Sequence, residues 1–308
     1  MSEKTKLSTE PYKGVRDFYP EDMAVQNYIF DTWKKVSHDF NYEEYTASIL
    51  EPAELYRSKG NEEIVNEQTF GFTDRGDREV VLRPEMTPTL ARMVAGRRKS
   101  LKFPLRWFSI PNVFRYEKPQ RGRKREHWQL NCDLMGIADI SAEVEIISLA
   151  HAIMKAFGTK DEDFQIKVND RKLLNEKFGS PELIRLLDRK NKISTEEFEK
   201  IWQETSGKAF DSNIEPNDDI KNLISKLAER GISNVVFEPT ITRGFDYYTG
   251  IVFEMFDTSP ENSRSLFGGG RYDNLLEIFG VEPVPTVGFG MGDITFRDFL
   301  ETHNLPLK

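Results

Sequence analysis

The sequence predicts an α+β fold, in which helices flank an antiparallel sheet and a helical insertion interrupts that sheet. Strand-like segments follow one another at short range, as they do in antiparallel sheets. The run 171–232 is charged and rich in helix signals and contains few strand signals. Strand signals return after it, so the sheet is predicted to resume beyond the insertion.

The N-terminal part begins with a helix and continues with strands. Apolar residues within 22–40 recur at spacings of three and four, which is one face of a helix about five turns long. Residues 45–50 have the pattern of a strand, and Pro52 suits the edge of a sheet or an interface, and not a central strand. The β-rich runs EQTFGFTD and DREVVLRPE, separated by the turn RGD, predict a hairpin.

Helix-end signals define the next helices. Thr87 is predicted to cap a helix with Pro88 at its first position and Gly96 at its end. RWFSIPNVFRYE and HWQLNCDLMGI predict two antiparallel strands joined by a long cationic loop. Ser141 is predicted to cap a further helix that stops at Gly158.

The last part of the chain is predicted to return to the sheet. Strand QIKVND precedes the insertion, and strand signals reappear in NVVFEP, YYTGIVFEMF and VGFGMG, with the glycine-rich FGGGRYD separating the latter two. The glycine-rich runs do not fit the dinucleotide pattern G-x-G-x-x-G between a strand and a helix. Their glycines are instead predicted to let backbone approach a flat ligand or a neighbouring strand.

Composition limits the class of protein. The chain has 308 residues, of which 38% are hydrophobic, and a formal net charge of −8, which argues against a surface that coats nucleic acid. A polar N-terminus and a mean hydropathy of −0.57 predict no membrane segment and a cytoplasmic location. One cysteine excludes an intramolecular disulfide, and the four histidines lack metal-ligand spacing, so no protein-bound metal site is predicted.

Positive charge is concentrated between residues 115 and 125, where six cationic side chains accompany one carboxylate, Glu117. A solvated basic loop is the simplest interpretation of such a run. Arg115 and Glu117, however, are predicted to share one face of a strand, and polar side chains alternate on the returning strand at Gln129, Asn131 and Asp133. A polar sheet face of this kind predicts a polar ligand, with arginines suited to phosphate and carboxylates to an ammonium group.

Two further motifs carry candidate site residues. RPEMT places Glu85 and Thr87 just after a strand, although a helix-capping turn would have the same pattern. TRGFDYYTG places Arg243 and Asp246 beside two adjacent tyrosines. An arginine next to paired phenols can bind an acid together with a polar ring, while simple packing is the alternative.

In this order, the segments resemble the class II aminoacyl-tRNA synthetases, and among them the histidyl-tRNA synthetase family. KGVRDFYPED with the first helix and the strand ending at Pro52 is similar to the family's first motif, which forms a dimer interface. FRYEKPQRGRKREHWQ is similar to the second motif, which holds ATP. RGFDYYTG and FGGGRYD are similar to the two signatures of the histidine enzyme.

The resemblance implies the fold of a class II catalytic domain and a division of the chain. Residues 1–170 would be the first part of that domain, 171–232 an inserted helical subdomain, and 233–308 the second part with the third motif. Members of the family normally continue into an anticodon-binding domain, and the sequence given is expected to lack it.

The resemblance also implies an activity, partners and site residues. Histidine would react with ATP, accompanied by Mg²⁺, to give histidyl-adenylate, and the histidyl group would pass to tRNA(His); the enzyme would be a cytoplasmic homodimer. Arg115 and Arg243 would be catalytic. The histidine-binding residues would be Glu85, Met86, Thr87, Gln129, Asp133, Tyr247 and Tyr248. The ATP-binding residues would be Arg115, Glu117, Arg123 and His127. The other loop cations, available to the tRNA, would be Lys118, Arg121, Lys124 and Arg125.

One departure from the family pattern leaves alternatives open. The third motif usually carries an arginine for the outer phosphate, but here GMGDITFRDFL has Asp293, Ile294 and Thr295 after Gly292, and Arg297 comes two residues late. Arg123 could replace that arginine, the chain could belong to a subgroup with another clamp, or ATP binding could be impaired. Rival functions are the non-catalytic regulatory subunit of ATP phosphoribosyltransferase and a pseudo-synthetase domain that binds uncharged tRNA.

Overall fold

A computed structural model describes residues 7–57, 68–190, 193–211, 213–244, 247–262 and 265–308, and it confirms the α+β fold. Within these ranges the chain forms twelve strands and nine α-helices. The strands are β1 (Glu43–Glu44), β2 (Leu50–Pro52), β3 (Phe70–Thr73), β4 (Glu79–Leu82), β5 (Leu105–Ser109), β6 (Asn112–Phe114), β7 (Glu126–Met135), β8 (Phe164–Asp170), β9 (Val235–Phe237), β10 (Ile251–Asp257), β11 (Ser265–Arg271) and β12 (Thr286–Gly292).

Helices precede, interrupt and follow these strands. They are α1 (Pro20–Asp39), α2 (Ala53–Arg57), α3 (Thr87–Arg97), α4 (Ser141–Ala156), α5 (Arg171–Phe178), α6 (Pro181–Asp188), α7 (Thr195–Ser206), α8 (Asp218–Glu229) and α9 (Asp293–Thr302). Among the described residues, no helix is both long enough and apolar enough to cross a membrane.

The larger sheet has the order β1-β5-β7-β12-β11-β10-β8-β9, and β6 pairs with β7 beside this path. Its central pairs are antiparallel, whereas the outermost pairs β1–β5 and β8–β9 are parallel. Strand β7 is the longest, and its Leu130, Cys132 and Leu134 point into the main core against α1, α4 and α9. The opposite face of β7 is therefore left for the site.

A smaller sheet has the order β2-β4-β3. The predicted hairpin is confirmed by the antiparallel pairing of β3 with β4, and its turn places Asp77 at a φ of 58°. Pro52 lies in β2 at the edge of the smaller sheet, as predicted. Because Pro52 has no N–H, an edge position avoids the loss of a hydrogen bond between central strands.

The strand predicted for residues 45–50 is wrong for most of its length, because β1 ends at Glu44 and β2 begins at Leu50. The buried Arg83 guanidinium donates hydrogen bonds to the carbonyl oxygens of Ala47 and Ser48, at 2.8 and 3.2 Å. A side chain thus satisfies backbone groups that a strand would have paired with a neighbour.

The strand prediction around the cationic loop needs a second correction. Pro111 separates β5 from β6, and β6 ends at Phe114, so Arg115 and Glu117 lie in the loop and not on a strand. The Arg115 N–H still donates to the carbonyl of Arg125, which keeps the two ends of the loop together. Strand β7 confirms the predicted alternation of Gln129, Asn131 and Asp133.

Helix ends differ from the predictions by one residue. Thr87 is the first residue of α3 and Met86 its N-cap, while Gly96 lies inside the last turn. Ser141 is likewise the first residue of α4, and Asp139 accepts the hydrogen bond of its N–H at 2.9 Å. Such shifts are within the usual uncertainty of helix boundaries.

FGGGRYD forms strand β11 and its end, so the prediction that it separates strands is wrong. A Cβ on Gly269 would collide with the carbonyl oxygen of Gly288 in the neighbouring strand. The glycines allow close approach of strands, which was one of the two predicted uses.

The helical run between β8 and β9 packs as two groups. Helices α5 to α7 enclose their own apolar cluster, which includes Leu174, Ile184 and Trp202. Helix α8 instead contributes Ile220 and Leu223 to the main core. The division of the chain into three parts stays a prediction.

Candidate active site

The site lies on the face of the larger sheet that is opposite the main core. Three polar side chains of β7 point to this face, namely Gln129, Asn131 and Asp133. Beside them, β12 and β11 contribute glycines: Gly288 pairs with Asp133, and Gly290 pairs with Asn131. The site is therefore built on β7, which contributes polar side chains, and on β11 and β12, whose glycines have no side chains.

The glycines make room for the functional side chains. A Cβ on Gly288 would collide with Oδ1 of Asp133, and one on Gly290 would lie 2.7 Å from Nε2 of Gln129. A Cβ on Gly268 would lie 3.0 Å from Nη1 of Arg243. The side chains thus lie across the backbone of β11 and β12, which requires the absence of Cβ atoms there.

A cleft of about 290 Å³ opens over these glycines and collects positive charge. Its cations are Arg115, Arg123, Lys124 and Arg243, and its other charged or polar residues include Glu117, His127, Gln129 and Glu254. Four cations around a small cleft favour an anionic ligand, and planar guanidinium groups suit phosphate oxygens.

Arg243 is held firmly at the wall of this cleft. Its Nη1 donates to Oε1 of Glu254 at 2.8 Å, and its Nη2 donates to the carbonyl of Gly268 at 3.2 Å. Its backbone adopts a φ of 57°, which is uncommon for a residue other than glycine. Burial opposes its charge, but Tyr248 and Glu254 outweigh this effect and raise the pKa of Arg243, so the guanidinium stays charged.

Next to the cleft, polar and aromatic side chains form a buried cluster, here named the pocket, which contains the carboxylate of Glu85. Glu85 follows β4, and the hydroxyl of Tyr247 donates to its Oε2 at 3.3 Å. Burial raises the pKa of Glu85 to about 7, although Arg115 opposes the rise. The Thr87 hydroxyl lies beside that of Tyr247, and the ring of Tyr248 packs 4.9 Å from that of Tyr247. Met86 is fully buried.

Asp133 is the second buried carboxylate of this pocket. The hydroxyl of Tyr272 donates a hydrogen bond to its Oδ1. Burial raises the pKa of Asp133 to about 7, while the Tyr272 hydrogen bond acts in the opposite direction. Tyr272 also packs 5.5 Å from Tyr247, so three phenols surround the pocket.

Sequence reasoning missed Tyr272 and Glu254 as members of the site. Tyr272 is part of the motif FGGGRYD, whose interpretation rested on its glycines alone. Glu254 lies four residues beyond the tyrosine motif, in an apolar strand, where a lone carboxylate signals a buried partner. In that motif, Asp246 lies outside the described residues.

A family model described as histidyl-tRNA synthetase matches residues 14–211 and 171–292. The chain belongs to the histidyl-tRNA synthetase family. A histidine–tRNA ligase of Leptospira biflexa (strain Patoc 1) is 46% identical over 97% of this chain and 76% of its own length. The chloroplastic/mitochondrial histidine–tRNA ligase of Arabidopsis thaliana is 39% identical over 97% of this chain and 68% of its own length.

A solved structure supports the same family and fold. The crystal structure of an ATP phosphoribosyltransferase regulatory subunit/histidyl-tRNA synthetase from Bacillus halodurans C superposes with a TM-score of 0.76 at 26% identity. The alignment covers 94% of this chain and 82% of that one.

In this member of the histidyl-tRNA synthetase family, the cations of the second-motif loop have different surroundings. Arg123 lines the cleft and donates to Oε2 of Glu117 at 3.2 Å. Arg121 pairs with Asp298 at the surface. Arg125 is only 8% exposed, lies over the ring of Tyr116 at 3.9 Å and donates to Tyr12. The prediction that Arg125 is available to RNA is therefore wrong, because packing of its guanidinium occupies it.

His127 lies in the same cleft as an uncharged ring. Burial lowers the pKa of His127 to about 3, and the nearby charges of Arg115 and Arg16 add to this effect. At neutral pH the imidazole is therefore a flat, neutral group beside the cations.

The third-motif segment of this family member has a structural acid where the family pattern is interrupted. Asp293 is buried and accepts hydrogen bonds from Arg16 at 2.7 Å, from Gln26 at 3.0 Å and from the Trp128 N–H at 2.9 Å. Thr295 lines the cleft, whereas Arg297 pairs with Glu301 at 2.8 Å on the outer side of α9.

Metal-ligand geometry is absent from the ranges that the structure describes, since no three His, Cys, Asp or Glu side chains meet in a way that could hold an ion.

Proposed function

We propose that the chain is a histidine–tRNA ligase, which activates histidine with ATP and transfers the histidyl group to the 3′ end of tRNA(His). The observation that carries this proposal is that a cationic cleft adjoins a buried cluster with two carboxylates and three phenols. The first accommodates a triphosphate, and the second accommodates a cationic and aromatic amino acid. The relatives that are named as such ligases support the same function.

The order of groups along β7 gives histidine a direction in the site. Gln129 lies in the cleft and Asp133 at the far end of the pocket, and four residues of a strand span about 13 Å. The carboxylate of histidine must face the phosphates, so its imidazole extends towards Asp133 and Tyr272. Glu85, which lies beside Arg115, is then the carboxylate for the ammonium group.

The first chemical step needs alignment more than a base. The histidine carboxylate is already ionised and attacks the α-phosphorus of ATP; the bond from that phosphorus to the bridging oxygen breaks, and pyrophosphate leaves with its electrons. Arg115 and Arg243 neutralise charge at the α-phosphate and at the reacting carboxylate. Because Glu254 and Gly268 fix Arg243, this arginine needs little reorganisation during the reaction.

ATP would occupy the cleft with its outer phosphates near the loop. Arg123 is the cation in the position to contact them, because Arg297 lies outside the cleft. Glu117 and His127 would bind the adenine end, and release of Arg123 from Glu117 would accompany phosphate binding. Mg²⁺ would enter with ATP as part of that substrate.

In the second step a hydroxyl of the terminal ribose of tRNA attacks the carbonyl carbon of histidyl-adenylate. The bond to the phosphate oxygen breaks, AMP leaves, and the hydroxyl proton passes to a leaving phosphate oxygen. Lys124, which lines the cleft, is a loop cation available to the tRNA end during this transfer. The enzyme would act in the cytoplasm as a homodimer.

A non-catalytic histidine-binding subunit of ATP phosphoribosyltransferase is the second candidate. It is favoured by the Bacillus halodurans structure, whose name carries both functions, and by Thr295 at the place of the third-motif arginine. The four cleft cations favour the ligase, because a histidine sensor needs no complete phosphate site.

Histidine-dependent exchange between ATP and pyrophosphate on the purified chain tests the proposal, with the other amino acids as controls. Exchange with histidine alone is the expected result. Histidine binding by calorimetry without exchange would overturn the ligase function in favour of the regulatory subunit.

Replacement of the catalytic arginine tests its role. Arg243→Ala is expected to reduce exchange by a factor of roughly 10²–10³, the usual loss for one electrostatic donor. Because it leaves the partly buried Glu254 without its cation, Arg243→Ala/Glu254→Gln is measured beside it, with circular dichroism to establish folding.

The matched control is Arg297→Ala, which removes an arginine outside the cleft and should retain wild-type exchange. Wild-type turnover in both Arg243 variants would remove this residue from the mechanism.

A further inference from the structure

Tyr45 is oriented opposite to the usual arrangement of a surface tyrosine. Its ring is half-buried at the edge of the larger sheet, yet its hydroxyl is completely buried. Tyrosine normally keeps its polar tip in water and its ring against the protein. An inward hydroxyl costs hydration, so a polar partner is expected inside.

The buried Tyr45 hydroxyl lies near the carboxylate of Asp133. The Tyr45 ring packs 5.6 Å from that of Trp107, which pairs directly with Asp133 across β5 and β7. It shares an apolar cluster with Tyr247, Tyr248 and Tyr272. Burial raises the pKa of Tyr45 well above its usual value, and the Asp133 carboxylate adds to the rise, which agrees with this placement.

Ser109 brings a second hydroxyl to the same place. It lies on β5 opposite Asn131, and it is only 1% exposed. Its hydroxyl is next to that of Tyr45, and among the described residues neither oxygen has a hydrogen bond of good geometry. Two adjacent buried hydroxyls without well-formed hydrogen bonds are rare, because nearly all buried polar groups in proteins are hydrogen-bonded.

The chemistry of these groups fits an imidazole. Asp133 accepts hydrogen bonds, and at the described residues its hydrogen bond comes from Tyr272 alone. A hydroxyl can donate to an unprotonated ring nitrogen or accept from a protonated one. Asp133, Tyr45 and Ser109 together therefore offer both kinds of partner to a ring that has one nitrogen of each kind.

We propose that Tyr45 and Ser109 form the deep wall of the histidine pocket and bind the imidazole ring together with Asp133. The inference rests on the proposed function and adds two specificity-determining residues to it. A pocket that hydrogen-bonds a substrate discriminates strongly against analogues without that group, since its own polar atoms are then left unpaired.

The test uses Tyr45→Phe and Ser109→Ala in the full chain, with exchange kinetics and calorimetric binding of histidine. Each variant is expected to raise KM and Kd for histidine by about 5- to 30-fold, the effect of one lost hydrogen bond to a buried polar group, and to leave KM for ATP unchanged. The wild type should reject ring-methylated histidines, and this discrimination should shrink in both variants.

Tyr42→Phe is the matched control, because it removes a buried tyrosyl hydroxyl from the same segment whose partner is Glu145, at 3.1 Å and away from the pocket. It should leave the histidine constants and the discrimination unchanged. A purely structural role of Tyr45 would lower the melting temperature without this selective change in KM.

The outcomes separate the two proposals. Unchanged histidine constants in Tyr45→Phe and Ser109→Ala would overturn the inference and leave the ligase function intact. Binding of histidine without exchange in the wild type would overturn the ligase function, while the calorimetric comparison would still decide the inference. A wild type that does not bind histidine would overturn both.

Discussion

Glu85 and Asp133 combine two properties that seldom occur together in one small pocket. Both carboxylates are less than 5% exposed, and in the described part of the chain each is hydrogen-bonded by a tyrosine and by no cation. Burial raises the pKa of each to about 7. The ammonium group of histidine supplies a counter-charge to Glu85 and the ring N–H supplies a hydrogen bond to Asp133, so binding of histidine is expected to favour ionisation of both groups.

Glu85 makes folding stability depend on pH. Its pKa rises on folding from 4.5 to about 7, so the native state holds the proton to higher pH than the unfolded chain does. The stability contribution is complete below pH 4.5 and is lost as the pH rises through 7. The loss is on the order of 3 kcal/mol, because each pKa unit corresponds to about 1.4 kcal/mol.

Glu85→Gln should remove this dependence, since the amide resembles the protonated acid. The variant is expected to melt several degrees above the wild type at pH 8, with a smaller difference at pH 5, in thermal unfolding followed by circular dichroism. Glu199→Gln, an exposed carboxylate on α7, is the control and should follow the wild type. An equal difference at both pH values would contradict the assignment of a raised pKa to Glu85.

Asp133→Asn should act mainly on histidine. It keeps the shape of the side chain and removes the charge opposite the substrate, so KM for histidine is expected to rise about tenfold or more while KM for ATP stays near the wild-type value. Exchange kinetics measure both constants. A histidine KM equal to that of the wild type would exclude Asp133 from the histidine site.

At the residue scale, motifs predicted the groups whose spacing is regular. The predicted alternation of Gln129, Asn131 and Asp133 on one face is confirmed, because β7 is a continuous strand. Glu254 and Tyr272 were missed because the partners that reveal them, Arg243 and Asp133, are 11 and 139 residues away along the chain. A lone carboxylate in an apolar strand indicates that a partner exists, but the identity of a distant partner depends on the fold.

At the scale of elements, the glycines of β11 and β12 determine the depth of the site. Gly288 leaves the space into which Asp133 extends, and Gly268 does the same for Arg243. The sequence allowed either a ligand or a neighbouring strand as the reason for these glycines. An added Cβ would meet the backbone of a neighbouring strand first at Gly268 and Gly269, whereas at Gly288 it would meet the Asp133 carboxylate first.

Gly288→Ala tests this account. Its Cβ would collide with Oδ1 of Asp133 and would lie 2.9 Å from the carbonyl of Cys132, so the carboxylate must move. We expect a rise of at least tenfold in KM for histidine and a loss of about 1–3 kcal/mol in stability, as for other overpacked positions. Exchange kinetics and urea unfolding measure the two effects.

Gly96→Ala is the matched control, because an added Cβ there meets no atom within 4 Å. It lies in α3 and should stabilise the protein by about 0.4–1 kcal/mol without a change in kinetics. Unchanged histidine binding in Gly288→Ala would show that the Asp133 carboxylate does not need the space above β12.

Strand 45–50 shows where element prediction fails for a physical reason. Residues 45–50 have the pattern of a strand, but the Arg83 guanidinium donates hydrogen bonds to the carbonyls of Ala47 and Ser48. A neighbouring strand would otherwise have paired with these carbonyls. Arg83 is the first residue of RPEMT, a motif for which the sequence indicated Glu85 and Thr87 as candidate site residues but gave Arg83 no role. Side chains that replace sheet pairing cannot be identified without the fold.

At the scale of the whole molecule, the N-terminal segment connects distant parts of the site. Arg16 pairs with Asp293 at the start of α9, and Gly14 accepts the Arg125 N–H with a backbone φ of 88°. A Cβ at Gly14 would lie 2.8 Å from the Arg125 side chain, so glycine is required for this packing. The segment KGVRD thereby supports both ends of the cationic cleft.

The smaller sheet leaves apolar side chains at the surface. Leu50 is 44% exposed, Phe72 is 52% exposed and Tyr116 is 49% exposed, and a cavity between Phe70, Phe72 and Tyr116 opens to the outside. Adjacent exposed apolar groups of this size are typical of interaction surfaces. Leu50 and Pro52 also end the segment that resembles the first motif, so this surface is the proposed homodimer interface.

Leu50→Asp should separate the subunits, because a carboxylate would be buried without a partner at the interface. Sedimentation velocity at about ten micromolar is expected to give a dimer for the wild type and a monomer for the variant, in the concentration range where a stable dimer persists. Leu7→Asp, at a leucine that is 93% exposed and outside the smaller sheet, is the control and should stay dimeric. A monomeric wild type would exclude the dimer, whereas dissociation by both variants would place the interface elsewhere.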